Sequence, residues 1–396
     1  MNALTPYLPS HQAGKYQDLL KSLELLHVSS DSLCRGVHPS VLSEVIKSID
    51  LVNNYYSNLI ESEGTHPVDI TRAMRKDFSS NTEKASRQRL ALAYQDTQRF
   101  VCNTLPEFDF ADSEHIKSIH KHFYGSKALL EEQLFIKDER GNKHKVIPGC
   151  FRDMDVQIGD HFAPKTCELP RLFNDFYKHY KHDKNDLVVH KLLKAFAAHH
   201  RYMFIHPFLD GNGRTGRLMT DGMLKQALPE SYGLWSLSRG LARENAEYKQ
   251  FLARADQVRQ GSTDGRGMRS ESGLMAFLVF MTKVALDQVT YMEGMLKLDR
   301  LYNRLTKYIV YSEAPIPPEF EKLLPQFLIM GEIKKANLPE VLGCSERKAR
   351  NVAKVLKSCG LIQDEGKRSA PYKLQFTSKM LSYVFPDLIP AVKIKE

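Results

Sequence analysis

The sequence predicts a mainly α-helical protein that carries one β-hairpin flap and ends in a winged helix-turn-helix domain. Three observations support this. Apolar residues recur at helical spacing through most of the first 300 positions. A single stretch upstream of a glycine-rich motif alternates as a strand would. The last quarter reads as helix, turn and helix followed by an alternating run. With 396 residues, 42% hydrophobic and 26% charged, the chain can fill two or three domains with a sizeable core. The boundaries expected are an N-terminal helical region over 1–110, a central core over 111–300 and the C-terminal domain over 301–396.

In chain order, Leu42, Val45, Ile46, Ile49, Val52, Tyr56, Leu59 and Ile60 recur every three or four residues, and Pro39 suits a first helical turn. One long amphipathic helix over 39–60 follows, ending near "ESEGTHP". The run "KVIPGCFRDMDVQIGDHFAP" is the strand-like stretch, with Val156 and Ile158 alternating with polar neighbours and Gly149 and Gly159 punctuating it. "DLVVHKLLKAFAAHHRYMFI" is apolar around most of its circumference, as a central bundle helix is. A polar stretch at 261–272 separates two further helices, and a Pro-rich break at 312–322 precedes the last domain. Six cysteines lie far apart with no C-x-x-C pair, which argues against a zinc site or a disulfide framework. No basic-then-apolar leader is evident, and the longest uncharged apolar run, 275–281, is too short to span a bilayer. The expectation is a cytoplasmic protein with no membrane partner.

"IHPFLDGNGRTGRLM" (205–219) concentrates the chemistry. Its glycines satisfy G-x-G-x-x-G, but a dinucleotide fold needs a strand before them, and a helix-like run stands there instead. Gly211, Asn212 and Gly213 can turn backbone N–H groups toward one point, and a helix beginning near Arg214 adds its positive end, which makes an anion cradle. Arg214 and Arg217 offer planar forks for phosphate. Asp210 supplies one hard oxygen for Mg2+, which is normally held by one or two carboxylates plus substrate phosphates. His206, largely neutral near pH 7, can accept a proton from an attacking hydroxyl. His199 and His200 are expected to pack the bundle, since a zinc site needs three ligands at suitable spacing.

Read as a unit, His206 to Arg217 resembles the H-P-F-x-[D/E]-G-N-G-R-x-x-R signature of the Fic family, and "PGCFRDMDVQIGDHFAP" resembles the family's flap. The resemblance implies a Fic-fold bundle that transfers AMP from ATP to a Ser, Thr or Tyr hydroxyl of a protein substrate or of itself. It implies His206 as base, Asp210 as Mg2+ ligand, and a flap on which Val156 and Ile158 flank the target. Gly213 stands where phosphorylating relatives carry lysine, which favours nucleotide transfer. Ser57-Asn58-Leu59-Ile60-Glu61-Ser62 resembles the family's inhibitory pattern [S/T]-x-x-x-E-[G/N], departing only at Ser62. Glu61 is then expected to pair with Arg217 and block the ATP γ-phosphate. Glu63-Gly64 has the usual ending but Leu59 four positions before the glutamate. In some relatives the same glutamate directs water to remove AMP, so a reversing activity is also implied.

The last 96 residues hold 16 Lys/Arg against 10 Asp/Glu, a surplus of 6, while the first 300 carry a surplus of only 3. "LPEVLGCSERKARNVAKVLKSCGLI" reads as a helix, a Gly343 turn, a Ser345 N-cap and a second helix bearing Arg347, Lys348, Arg350, Lys354 and Lys357. Such a module suits DNA, and equally homodimerisation or protein contact. The rival reading for the whole chain is a DNA-binding transcriptional regulator with a nucleotide-sensing Fic domain. An intact His206 argues against it, since sensing ATP requires no base.

Overall fold

The computed structural model describes residues 3–104, 108–138, 140–367 and 369–390. The chain opens with α1 (Tyr16–Ser32) and α2 (Pro39–Ile60). Pro39 sits in the first turn of α2, where its missing N–H leaves nothing unpaired, and the His38 ring caps the Ser40 amide. Of the predicted positions Leu42, Val45, Ile49, Val52, Tyr56 and Ile60 are buried and Ile46 is half-buried, whereas Leu59 faces outward at the end of the helix. After α3 (Pro67–Met74) and α4 (Thr82–Thr104) comes α5 (Ser113–Tyr124), capped by the Asp112 carboxylate on the Glu114 and His115 amides.

Two small antiparallel hairpins follow. The first pairs β1 (Phe135–Lys137) with β2 (Lys143–Lys145), and the second pairs β3 (Gln157–Ile158) with β4 (His161–Phe162). The first was not anticipated, because it contains no apolar alternation. The Asp138 carboxylate organises its turn by accepting from the Arg140 and Asn142 amides. The second is the expected flap, but shorter than expected. Val156 lies just outside the ladder, its carbonyl accepting from the Ala163 amide at 3.2 Å.

The bundle continues with α6 (Leu169–Tyr180), α7 (Val188–Ile205), α8 (Asn212–Ala227), α9 (Leu237–Arg243), α10 (Asn245–Asp256), α11 (Glu271–Leu296) and α12 (Leu298–Tyr311). α7 and α8 form its centre, with Leu192, Phe196, Tyr202 and Phe204 on α7 buried. α11 is long and apolar enough to cross a membrane by length and composition. Most of it is buried in the bundle against α1, α7, α9 and α10, as a core helix is.

The last part comprises α13 (Phe320–Met330), β5 (Glu332–Ile333), α14 (Leu338–Leu342), α15 (Glu346–Ser358), β6 (Ile362–Gln363), β7 (Tyr372–Leu374) and α16 (Leu381–Val384). Its strands form an antiparallel sheet in the order β5-β7-β6. Gly343, with φ 63°, makes the turn between α14 and α15, and Ser345 caps α15. This part meets the start of α2, where the His38 amide donates to Leu328 O (3.1 Å) and Ser40 Oγ to Gly331 O (3.0 Å).

α9 crosses α11 at Gly240, where an added Cβ would run into Val284 and Gln288. Gly240→Leu should lower the unfolding free energy by about 1–3 kcal/mol through overpacking. Gly294→Ala on the open side of α11 should be neutral or stabilising by about 0.5–1 kcal/mol, because nothing lies within 4 Å of the added methyl. Chemical denaturation of both variants checks the pair.

Candidate active site

α7 ends at Ile205, and His206 takes the left-handed conformation, with φ 48° and ψ 61°. For a residue with a Cβ this costs roughly 1 kcal/mol, so surrounding contacts must hold it. The Pro207–Gly211 loop then folds back, and the Asn212 side chain closes it by accepting from the Phe208 amide (2.9 Å) and donating to Phe208 O (2.8 Å). α8 therefore begins at Asn212 rather than near Arg214. Gly211, with φ 76°, serves as its N-cap in a left-handed conformation that glycine adopts without strain. The Asn212 carboxamide is committed to the loop, so its contribution to an anion site is its backbone N–H. Together with those of Gly213 and Arg214, that N–H starts the helix without an intrahelical partner.

Both arginines of α8 are buried and engaged. Arg217 donates through Nε to Ser57 Oγ (2.8 Å), and through Nη2 to Ser57 O (2.8 Å) and Glu61 Oε1 (2.7 Å). Arg214 Nη1 donates to Glu63 Oε2 at 2.5 Å, its Nη2 lies 3.8 Å from Asp210 Oδ2, and its guanidinium stacks over Phe123 at 5.0 Å. The two glutamates that competed for one role in the sequence thus take one arginine each. Gly213 lies directly under Glu61, and a Cβ there would collide with the carboxylate. Ser62, where the family pattern has Gly or Asn, is left-handed with φ 64°, which accounts for that preference. Burial alone would raise the Glu61 carboxyl, but Arg217 and Arg214 more than reverse this and hold it below the usual range.

α5 supplies what the sequence did not signal. Tyr124 donates to Asp210 Oδ2 at 2.6 Å. His120 accepts from the Gly149 amide at Nδ1 (2.9 Å), donates from Nε2 to Asp210 O (3.2 Å) and stacks on Phe208 with centroids 3.8 Å apart. For Asp210, burial pushes the carboxyl up, while Arg214, the Tyr124 hydroxyl and the Gly211 amide bring it below its ordinary value. Asp210 thus stays ionised. Among the described residues no group of three or more His, Cys, Asp or Glu gathers to hold a metal. A single ionised carboxylate beside an anion cradle fits a Mg2+ whose remaining ligands come from a phosphate substrate and water.

His206 is half-buried. Burial first, then the neighbouring His161 and Arg152, push its pKa down to about 4. His199 and His200 are fully buried, with His199 between Thr220 and Tyr248 (2.7 Å each) and His200 2.9 Å from Asp256. On the flap, Val156 is half-buried, Ile158 is 40% exposed, and Phe162, not singled out before, is 73% exposed.

The fold and site define a helical bundle with a phosphate-type cradle beside a neutral histidine. A family model for the Fic/DOC family matches residues 110–224, which places a Fic-type domain in that part of the chain. It is 26% identical over 213 residues to a curated relative from Nematostella vectensis called "Protein adenylyltransferase Fic", a match covering 53% of this chain and 45% of that protein. A solved Fic family protein from Desulfovibrio desulfuricans has the same fold with a TM-score of 0.52 at 17% identity, over 93% of this chain and 98% of that one. Fic-1 from C. elegans aligns with a TM-score of 0.53 at 17% identity, over 72% and 74%.

The depressed pKa of His206 gives a direct expectation. Because burial penalises the cation, the imidazole should remain neutral from pH 8 down to about 5 and protonate near pH 4, against about 6.5 for an unperturbed histidine. As the unfolded chain binds this proton first, the His206 contribution makes stability fall as pH drops from about 6.5 toward 4. Titration of its ring resonances by NMR measures the value, and a midpoint near 6.5 would contradict it.

Proposed function

We propose that this protein is an adenylyltransferase that moves AMP from ATP to a hydroxyl of a protein side chain, and that it is held back by two glutamates. The observation that carries the reading is the convergence of a neutral His206, the α8 N-terminus, Asp210 and two buried arginines on one loop. The match of residues 110–224 to the Fic/DOC family model and the printed name of the Nematostella relative support it. In the reaction, the target oxygen bonds to the α-phosphorus of ATP, His206 takes the hydroxyl proton, and the bond to pyrophosphate breaks. The α8 amides and Arg214 offset the phosphate charge. Asp210 would hold the Mg2+, which supplies charge neutralisation on the phosphates when bound.

Glu61 occupies the Arg217 fork that would seat the γ-phosphate, and Glu63 draws Arg214 away from the cradle. Autoinhibition is therefore read as two carboxylate–guanidinium contacts in series. The C-terminal part is read as a winged helix that contacts protein. Lys348, Arg350 and Lys357 are taken by Glu319, Glu346 and Asp364, which leaves few of the α15 cations available for a phosphate backbone.

Glu61→Gly should raise self-adenylylation by about 5- to 150-fold, the range of ordinary coupling free energies, and Glu63→Gly should do so to a lesser degree. Mass spectrometry after incubation with ATP and Mg2+ reads the AMP adduct. Unchanged rates in both variants and in the double variant would remove the carboxylate brake.

His206→Ala in the Glu61→Gly background should abolish transfer while ATP affinity stays within about twofold, because the base acts on the incoming hydroxyl. Asp210→Ala should instead raise the Mg2+ concentration required. Equal transfer with and without His206, followed by radiolabelled AMP, is the result that ends the assignment.

A further inference from the structure

We propose that Arg152 is a positioning residue that ties the 155–164 flap to His206, so that the target hydroxyl and the base are presented in one fixed geometry. The proposal rests on the transfer reading above. The Arg152 side chain is fully buried, and its donors go to backbone carbonyls at three separate points of the chain. Nε donates to His206 O (2.8 Å), Nη1 to Met154 O (3.0 Å) and Nη2 to Pro164 O. Met154 and Pro164 stand on either side of the flap hairpin, so one guanidinium holds both of its legs. The Arg152 amide adds a bond to Pro207 O at 2.9 Å. The nearest carboxylate is Asp155, 3.7 Å away and 59% exposed, so the arginine is not buried for an ion pair.

The target of this clamp is the strained residue of the site. A left-handed histidine relaxes unless its carbonyl is held, and Arg152 holds that carbonyl and the next one. His161 pins the second strand to the same turn by donating from Nε2 to Phe204 O at 2.8 Å, with Nδ1 3.4 Å from Asp256 Oδ2. On the outer side, Ile158 and Phe162 remain exposed for an extended target segment. Only a planar fork spans three carbonyls at once, and an ammonium reaches fewer.

The test uses the full chain with Arg152→Met, Arg152→Lys and His161→Ala, read by backbone amide hydrogen exchange. Arg152→Met should speed exchange over 155–164 and 206–210 by roughly 10- to 100-fold, the loss of buried charge-assisted bonds. Amides of α11 should keep their protection, and ATP affinity should stay within about twofold. Arg152→Lys should fall between parent and Met. The NMR titration of His206 should move toward 6.5 in Arg152→Met as the ring is released to solvent. His161→Ala, which leaves the buried arginine in place, should speed exchange in the flap alone and keeps the test valid if Arg152→Met fails to fold. Exchange unchanged in the flap, or raised equally in α11, would overturn the clamp. These readouts need no transfer, so a parent that never adds AMP would refute the proposed activity and leave the clamp to be judged on exchange.

Discussion

The site depends on the way Arg217 is buried. A guanidinium inside a bundle is tolerable only when its donors are taken, and here α2 supplies the partners through Ser57 Oγ, Ser57 O and Glu61. Those three bonds set the register of α2 against α8. A second crossbar, from Asn53 to Asp221 at 2.8 Å, lies one turn away on each helix and allows no other register. Asp221 is half-buried and pushed up to about 6 by desolvation, so its carboxyl is itself costly to strand without Asn53 and Tyr232. Because α2 also begins against Leu328 and Gly331, one helix of 22 residues, about 33 Å long, connects the C-terminal part to the candidate active site.

Around that register, the loop from His206 to Gly211 is held from two directions. α5 approaches from one side, with Tyr124 on the Asp210 carboxylate and His120 on the Asp210 carbonyl. Arg152 approaches from the other and takes the His206 carbonyl. Two backbone conformations that most residues avoid, at His206 and Gly211, thus occur within six positions. The strain at His206 is sustained because each end of the loop is fixed by a buried polar side chain. Burial of the same loop keeps His206 neutral, so its protonation state follows from the packing that sets its geometry.

Much of this was legible in the sequence because it is local. The period of apolar residues in α2 and α7 follows from the helix repeat, and the Gly343–Ser345 turn and cap need only neighbouring atoms. The 206–217 string was readable because nearly all of its chemistry lies within one loop and two helical turns. Ser57 and Glu61 were readable as a pair because residues four apart share a helix face.

What the sequence by itself determined is therefore the helical character of the chain, the site loop with its histidine, carboxylate and arginines, and a glutamate at the end of α2 facing the same way as Ser57. Tertiary structure alone decided that Glu63 meets Arg214, since the two are 151 positions apart and their contact depends on where the chain turns at the left-handed Ser62. It alone brought in Tyr124 and His120, whose helix carries no motif, and gave Arg152 its three carbonyls. The flap length was also settled there, because two-residue strands leave almost no periodicity to read. The physical reason is common to all of these: periodicity and capping act over one or two turns, whereas a buried charge selects its partners from whatever the packed helices bring within hydrogen-bond distance.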